Sequence, residues 1–127
     1  RWSSGAAVSD SQAQADRKAG RSDDAANLIS LTANRFAGDV ELQMLAAESL
    51  LIDRKNSQGA IDALAVIVPP QGNRILVTRK ATLQADAYEA AGQKDLAIAA
   101  LESLMAAFPS PRIQQRIDAL KGGAAPR

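Results

Sequence analysis

The sequence predicts an all-α fold of about seven helices, paired as antiparallel hairpins that stack into a short α-solenoid. Three observations predict it. Aromatic residues make up only 3% of a chain whose apolar share is an ordinary 46%, and alanine fills much of that share. Alanine is the strongest helix former and the smallest side chain that still packs, so closely spaced helices are favoured over a sheet with bulky inner faces. Second, apolar residues recur at helical spacing in segments separated by short glycine, proline or polar turns. Third, the segments repeat. AGQKDLAIAAL (91–101) lies over AGRSDDAANLI (19–29), with Gly92 on Gly20, Asp95 on Asp23, Ala97 on Ala25 and Leu101 on Ile29.

Residues 1–8 carry no helical period and are expected to be a flexible lead-in, with Trp2 standing alone. A first helix is predicted from about Ser9 to Ala19. It is polar almost all round, so little of it is expected to be buried. Gly20 breaks it. Ser22 is the expected N-cap of the second helix, with Asp23 and Asp24 in the first turn, where the macrodipole favours negative charge. Leu28, Ile29, Leu31 and Phe36 supply its apolar face. Gly38 ends it, and Asp39 caps a third helix that reaches about Asp53, with Leu42, Leu45, Ala46, Ser49 and Leu50 at helical spacing.

DRKNSQG reads as a polar turn, with Ser57 the expected cap of a fourth helix bearing Ile61, Leu64, Ile67 and Val68. Pro69 and Pro70 stop that helix, because proline lacks the N–H and disfavours a helical residue before it. After a turn at Gly72 and Asn73, a fifth helix runs from about Arg74 to Ala91. Its opening Ile75, Leu76 and Val77 have the look of a strand, but no alternating run exists to pair with them. The sixth, about Gln93 to Phe108, carries Leu96, Ala97, Ala100, Leu101, Leu104, Met105 and Phe108. The seventh is short, with Ser110 as N-cap, Pro111 at the first helical position and Ile113, Ile117 and Leu120 in one stripe. Gly122 and Gly123 end it, and residues 122–127 are expected to be a flexible tail.

The register found above has a period of 72 residues, or two units of 36. A middle unit fits between them, with Ala60 where the others have Ala25 and Ala97, and Leu64 where they have Ile29 and Leu101. The stretch ATLQADAYEAAGQKDLAIAALESLMAAFP (81–109) resembles the tetratricopeptide repeat family. That family's motif is a helix–turn–helix of about 34 residues with the pattern W-x2-L-G-x2-Y…A-x3-F…P. Ala85 takes the small glycine place, Tyr88 the tyrosine place, Ala97 the small place of the second helix, Leu101 the phenylalanine place and Pro109 the terminating proline. Ala81 stands where tryptophan is usual, Gln84 where leucine is usual, and the second unit lacks the tyrosine. The resemblance implies three degenerate repeats, about 9–38, 39–72 and 73–109, and a capping helix at 110–121. Together they form one domain over 9–121, wound as a right-handed superhelix.

Composition narrows the chemistry. The chain has 127 residues, no cysteine and no histidine, and a formal net charge of +1. Disulfides, thiol nucleophiles and Cys-ligated zinc are excluded, and the usual general base is missing. No serine sits in a nucleophile elbow, and no glycine-rich loop follows a strand. The adjacent Asp23 and Asp24 read as helix-start charges rather than a metal or catalytic pair. The chain is therefore expected to be non-enzymatic, without cofactor or metal. The densest basic cluster, Arg74, Arg79 and Lys80, has no aromatic residues interleaved, so nucleic acid is not an expected partner. No run approaches the roughly 20 apolar residues of a membrane span. Because the first residue is Arg1 and not Met, the chain is expected to be a processed or excised piece.

What remains is protein recognition. The resemblance implies that the first helix of each hairpin lines a concave groove, where Arg17, Lys18, Arg79, Asp86 and Glu89 would face a partner protein or peptide. The groove lacks the ordered Lys and Asn set with which chaperone-binding members clamp a C-terminal carboxylate, so that ligand is not expected. The module is expected to be a monomer or weak homo-oligomer serving as a scaffold. The alternative is a regulatory helical domain attached to an enzyme elsewhere in a parent chain. Alanine-rich, cysteine-free repeats look similar to periplasmic assembly and exopolysaccharide-export proteins, which leans the expected setting towards a larger bacterial envelope protein in the periplasm.

Overall fold

The computed structural model describes residues 4–122, and Trp2 lies outside them. The described residues form seven α-helices and no strand: α1 Ser4–Lys18, α2 Ser22–Arg35, α3 Val40–Ile52, α4 Ser57–Ala65, α5 Arg74–Ala90, α6 Lys94–Ala107 and α7 Pro111–Leu120. The contacts divide the chain between Pro69 and Pro70 into two compact units, Arg1–Pro69 with α1 to α4 and Pro70–Arg127 with α5 to α7.

In the first unit, α3 touches α1, α2 and α4. It is buried on two sides to match: Leu42 and Leu45 join a cluster with Ala6, Ala13, Ala25, Ile29 and Ala33, while Met44 and Ala47 are buried on the opposite side of the helix. In the second unit, Ala81 and Ala85 of α5, Ala97, Leu101 and Leu104 of α6, and Ile113 and Ile117 of α7 make one buried cluster.

The lead-in expected at 1–8 is corrected, because residues 4–8 already belong to α1. The expectation of little burial on this helix is corrected too. Ala6, Ser9, Ala13 and Asp16 are all buried and follow one another at steps of three or four along a single face. That stripe is made of small and polar residues, so a hydrophobicity pattern does not reveal it. In α2, Ile29 is buried, but Leu31 and Phe36, expected on the apolar face, are exposed. Val68, expected on the face of the fourth helix, is exposed beyond its end, which comes at Ala65.

The hairpins α1–α2 and α5–α6 repeat each other closely. α2 and α6 are both 14 residues long, and start and stop at positions 72 residues apart. The small residues at the hairpin crossing are fully buried in both, Ala13 with Ala25 and Ala85 with Ala97. Arg21 N–H donates to Asp16 O at 2.7 Å, and its counterpart Gln93 N–H donates to Tyr88 O at 2.8 Å. Asp16 thus stands where Tyr88 stands in the later hairpin.

One backbone device recurs at four of the turns. The residue before the N-cap takes a positive φ: Gly20 at 79°, Lys55 at 54°, Gly72 at 83° and Gly92 at 76°. This left-handed residue sets where the next helix begins. The N-caps are consequently Arg21 and Asn56, not the expected Ser22 and Ser57, and Asn56 Oδ1 accepts from Gly59 N–H. The caps expected at Asp39 and Ser110 are present, accepting from Leu42 and Ile113 N–H respectively. Lys55 bears a Cβ in a conformation that costs an L-residue roughly 1–2 kcal/mol, partly offset by the backbone entropy a glycine would lose. Lys55→Gly should therefore raise stability by about 0.5–1 kcal/mol, seen as a higher thermal midpoint by circular dichroism.

Candidate interaction surfaces

The five groove residues expected from the sequence fall into both units, Arg17 and Lys18 in the first and Arg79, Asp86 and Glu89 in the second. Arg17, in the last turn of α1, turns its guanidinium onto Asp53 at the C-terminal end of α3. Nε donates to Oδ1 at 2.6 Å and Nη2 to Oδ2 at 2.8 Å. Ser49 Oγ donates to the same Oδ2 at 2.6 Å. The Asp53 side chain is fully buried, and that of Arg17 is 18% exposed. Arg17, expected as a groove charge, ties α1 to α3.

Burial works against the Asp53 carboxylate. The hydrogen bonds from Arg17 and Ser49, with the Arg17 charge, outweigh it and hold its pKa below the ordinary value. The hydrogen bond to Asp53 in turn raises that of Arg17. Lys18 is exposed at the end of α1, where its charge suits the helix dipole.

On α5, positions 75, 79, 82, 86 and 89 follow one another along one side of the helix, away from the buried Ala81 and Ala85. Ile75 is 63% exposed there, and Arg79 is half-buried. Asp86 and Glu89 are drawn together by Arg116 of α7. Nη2 of Arg116 donates to Asp86 Oδ1 at 2.6 Å and to Glu89 Oε1 at 3.1 Å. Burial opposes the Arg116 charge, but the bonds to the two carboxylates prevail and raise its pKa. The pair expected to face a partner is engaged by α7, and both carboxylates stay partly exposed.

Local sequence holds no signal for either tie. Arg17 and Asp53 are 36 residues apart, and Arg116 and Asp86 are 30 apart. Each tie bridges about one repeat, so only a correct account of helix neighbours would have paired them.

Asp23 and Asp24 are helix-start charges with arginine partners, Asp23 with Arg54 at 3.0 Å and Asp24 with Arg21 at 3.6 Å. Among the described residues, no three acidic side chains converge as a metal site would need. Arg74, of the basic cluster, lies 6.0 Å from the centre of the Phe108 ring. A shallow groove of about 320 Å³ lies beside the α2–α3 turn, lined by Ala37, Val40, Gln43, Ala63 and Ile67. Among the described residues, no helix is long and apolar enough to cross a membrane. No family model matches the chain, and no curated protein or solved structure is detectably similar to it.

Proposed function

We propose that this chain is a tetratricopeptide-like repeat module that acts as a non-catalytic scaffold, binding a segment of a partner protein along the exposed side of α5. The observation that carries the reading is the recurrence of one hairpin 72 residues on, with matched helix ends, matched buried alanines and the same turn conformation. A hairpin of this kind cannot bury its apolar face alone, so such units are made to stack, and stacking leaves repeated helix faces for a partner. The side of α5 offers what protein recognition uses, an exposed aliphatic residue, Ile75, beside a half-buried arginine, Arg79. A larger bacterial envelope assembly is the setting we propose for the module.

Affinity capture from the source organism with mass spectrometry tests this. The chain should recover a small reproducible set of proteins. The double variant Ile75→Asp with Arg79→Glu should lose that set by about tenfold or more, the loss of one hot-spot contact being worth roughly 1–2 kcal/mol, with helicity unchanged. Undiminished capture by the double variant would place recognition on another surface.

A further inference from the structure

We propose that α7 is a displaceable cap, occupying a site on the α5–α6 hairpin that fits a partner's amphipathic helix of the pattern Ile-x2-Arg-Ile. This rests on the reading of the chain as a partner-binding module and names the partner's chemistry. α7 is ten residues long, short of the ~12–15 at which an isolated helix becomes even marginally stable in water. Its hold on the unit is concentrated in few side chains. Ile113 and Ile117 complete the buried cluster with Leu101 and Leu104 of α6. Arg116, beside Ile117, reaches past α6 to both carboxylates on α5. The outlying pair of Lys121 with Glu102, at 3.2 Å, is half-exposed and adds little.

The cluster beneath α7 is otherwise built from α5 and α6 alone, with Ala81, Ala85 and Ala97 closing their crossing. When α7 lifts, that hairpin keeps its own packing and presents an apolar patch flanked by Asp86 and Glu89. A foreign helix with two aliphatic residues four apart and an arginine before the second reproduces the contacts that Ile113, Ile117 and Arg116 make there. The two carboxylates select for the arginine, and one planar guanidinium serves both. The intramolecular cap lowers the apparent affinity of such a partner by the fraction of time the site is open.

Hydrogen exchange on the full chain and a labelled peptide of residues 110–122 test this together. The α7 amides should exchange at least about tenfold faster than those of α5 and α6, as for a locally opening element. Arg116→Ala in the full chain should speed α7 exchange by roughly fivefold more, the loss expected for a partly exposed ion-pair network. The same change should tighten peptide binding by a similar factor, because the site is open more often. Asp86→Asn with Glu89→Gln should also speed α7 exchange but bring no gain in peptide affinity, since the peptide's arginine loses its acceptors too. The proposal is overturned if α7 exchanges only together with α5 and α6, or if Arg116→Ala leaves peptide affinity unchanged. A concentration-dependent dimer that the peptide dissolves would assign the site to α7 of a second copy and overturn a foreign partner. Failure of the exchange arm leaves the capture result at Ile75 and Arg79 untouched, so the two readings fail separately.

Discussion

Asp53→Ala should destabilise the first unit by about 2–4 kcal/mol, measured by urea denaturation followed by circular dichroism at pH 7. Removing one partner of a buried ion pair costs roughly 3–5 kcal/mol because the other charge is left uncompensated. The expected range is set about 1 kcal/mol lower, since Arg17 is 18% exposed and part of its guanidinium can turn to water. Ser49 Oγ also loses its acceptor. Ser49→Ala removes only the hydroxyl bond and should cost about 1 kcal/mol. The same site predicts a pH dependence. The folded pKa of Asp53 is lowered, so the unfolded chain binds the proton more readily. The stabilisation is complete above the unfolded carboxylate pKa of about 4 and is lost as pH falls through the lower folded value. Stability measured from pH 6 down to pH 2.5 should fall less steeply in Asp53→Ala than in the unmodified chain. Identical slopes would show that the tie does not contribute.

Ala97→Trp should cost the second unit roughly 3 kcal/mol or more, beyond the ~1–3 kcal/mol typical of overpacking by smaller increments. Ala97 has no exposed surface, and it faces an equally buried Ala85 across the hairpin. A crossing held by two alanines brings the helix backbones close, and an indole can enter only by forcing them apart. Hydrogen exchange should show loss of protection in α5 and α6. An unchanged melting curve would mean that Ala97 does not lie at the crossing.

The sequence shows the helices, and for a physical reason. Leu101, Leu104, Ile113 and Ile117 are spaced for a helical face, and Pro111 opens α7 where a proline is tolerated, whereas α4 ends at Ala65, before the Pro69 and Pro70 expected to stop it. Each of these signals acts within a turn or two of chain. The same locality explains the misses. α1 is held by a stripe of alanine, serine and aspartate that no hydropathy pattern distinguishes from a solvated face. Lys55 takes the left-handed place that glycine takes before the N-caps of α2, α5 and α6, so the shared turn is visible only in the backbone. Phe36 and Leu31 have the composition of core residues but are left exposed, because burial depends on which neighbour arrives and not on the side chain alone.

The candidate surface divides in the same way. That the chain is helical, repeated and poor in catalytic side chains is decided by composition and period. Which charges stay available to a partner is decided by packing. Arg17 is drawn to an aspartate 36 residues away, and Asp86 and Glu89 to an arginine on the last helix. By itself the sequence determined the seven helices, their order and the small residues that let them cross. Only the tertiary structure decided the ion pairs, because a charge is matched across space, between helices that the chain brings together from positions about one repeat apart.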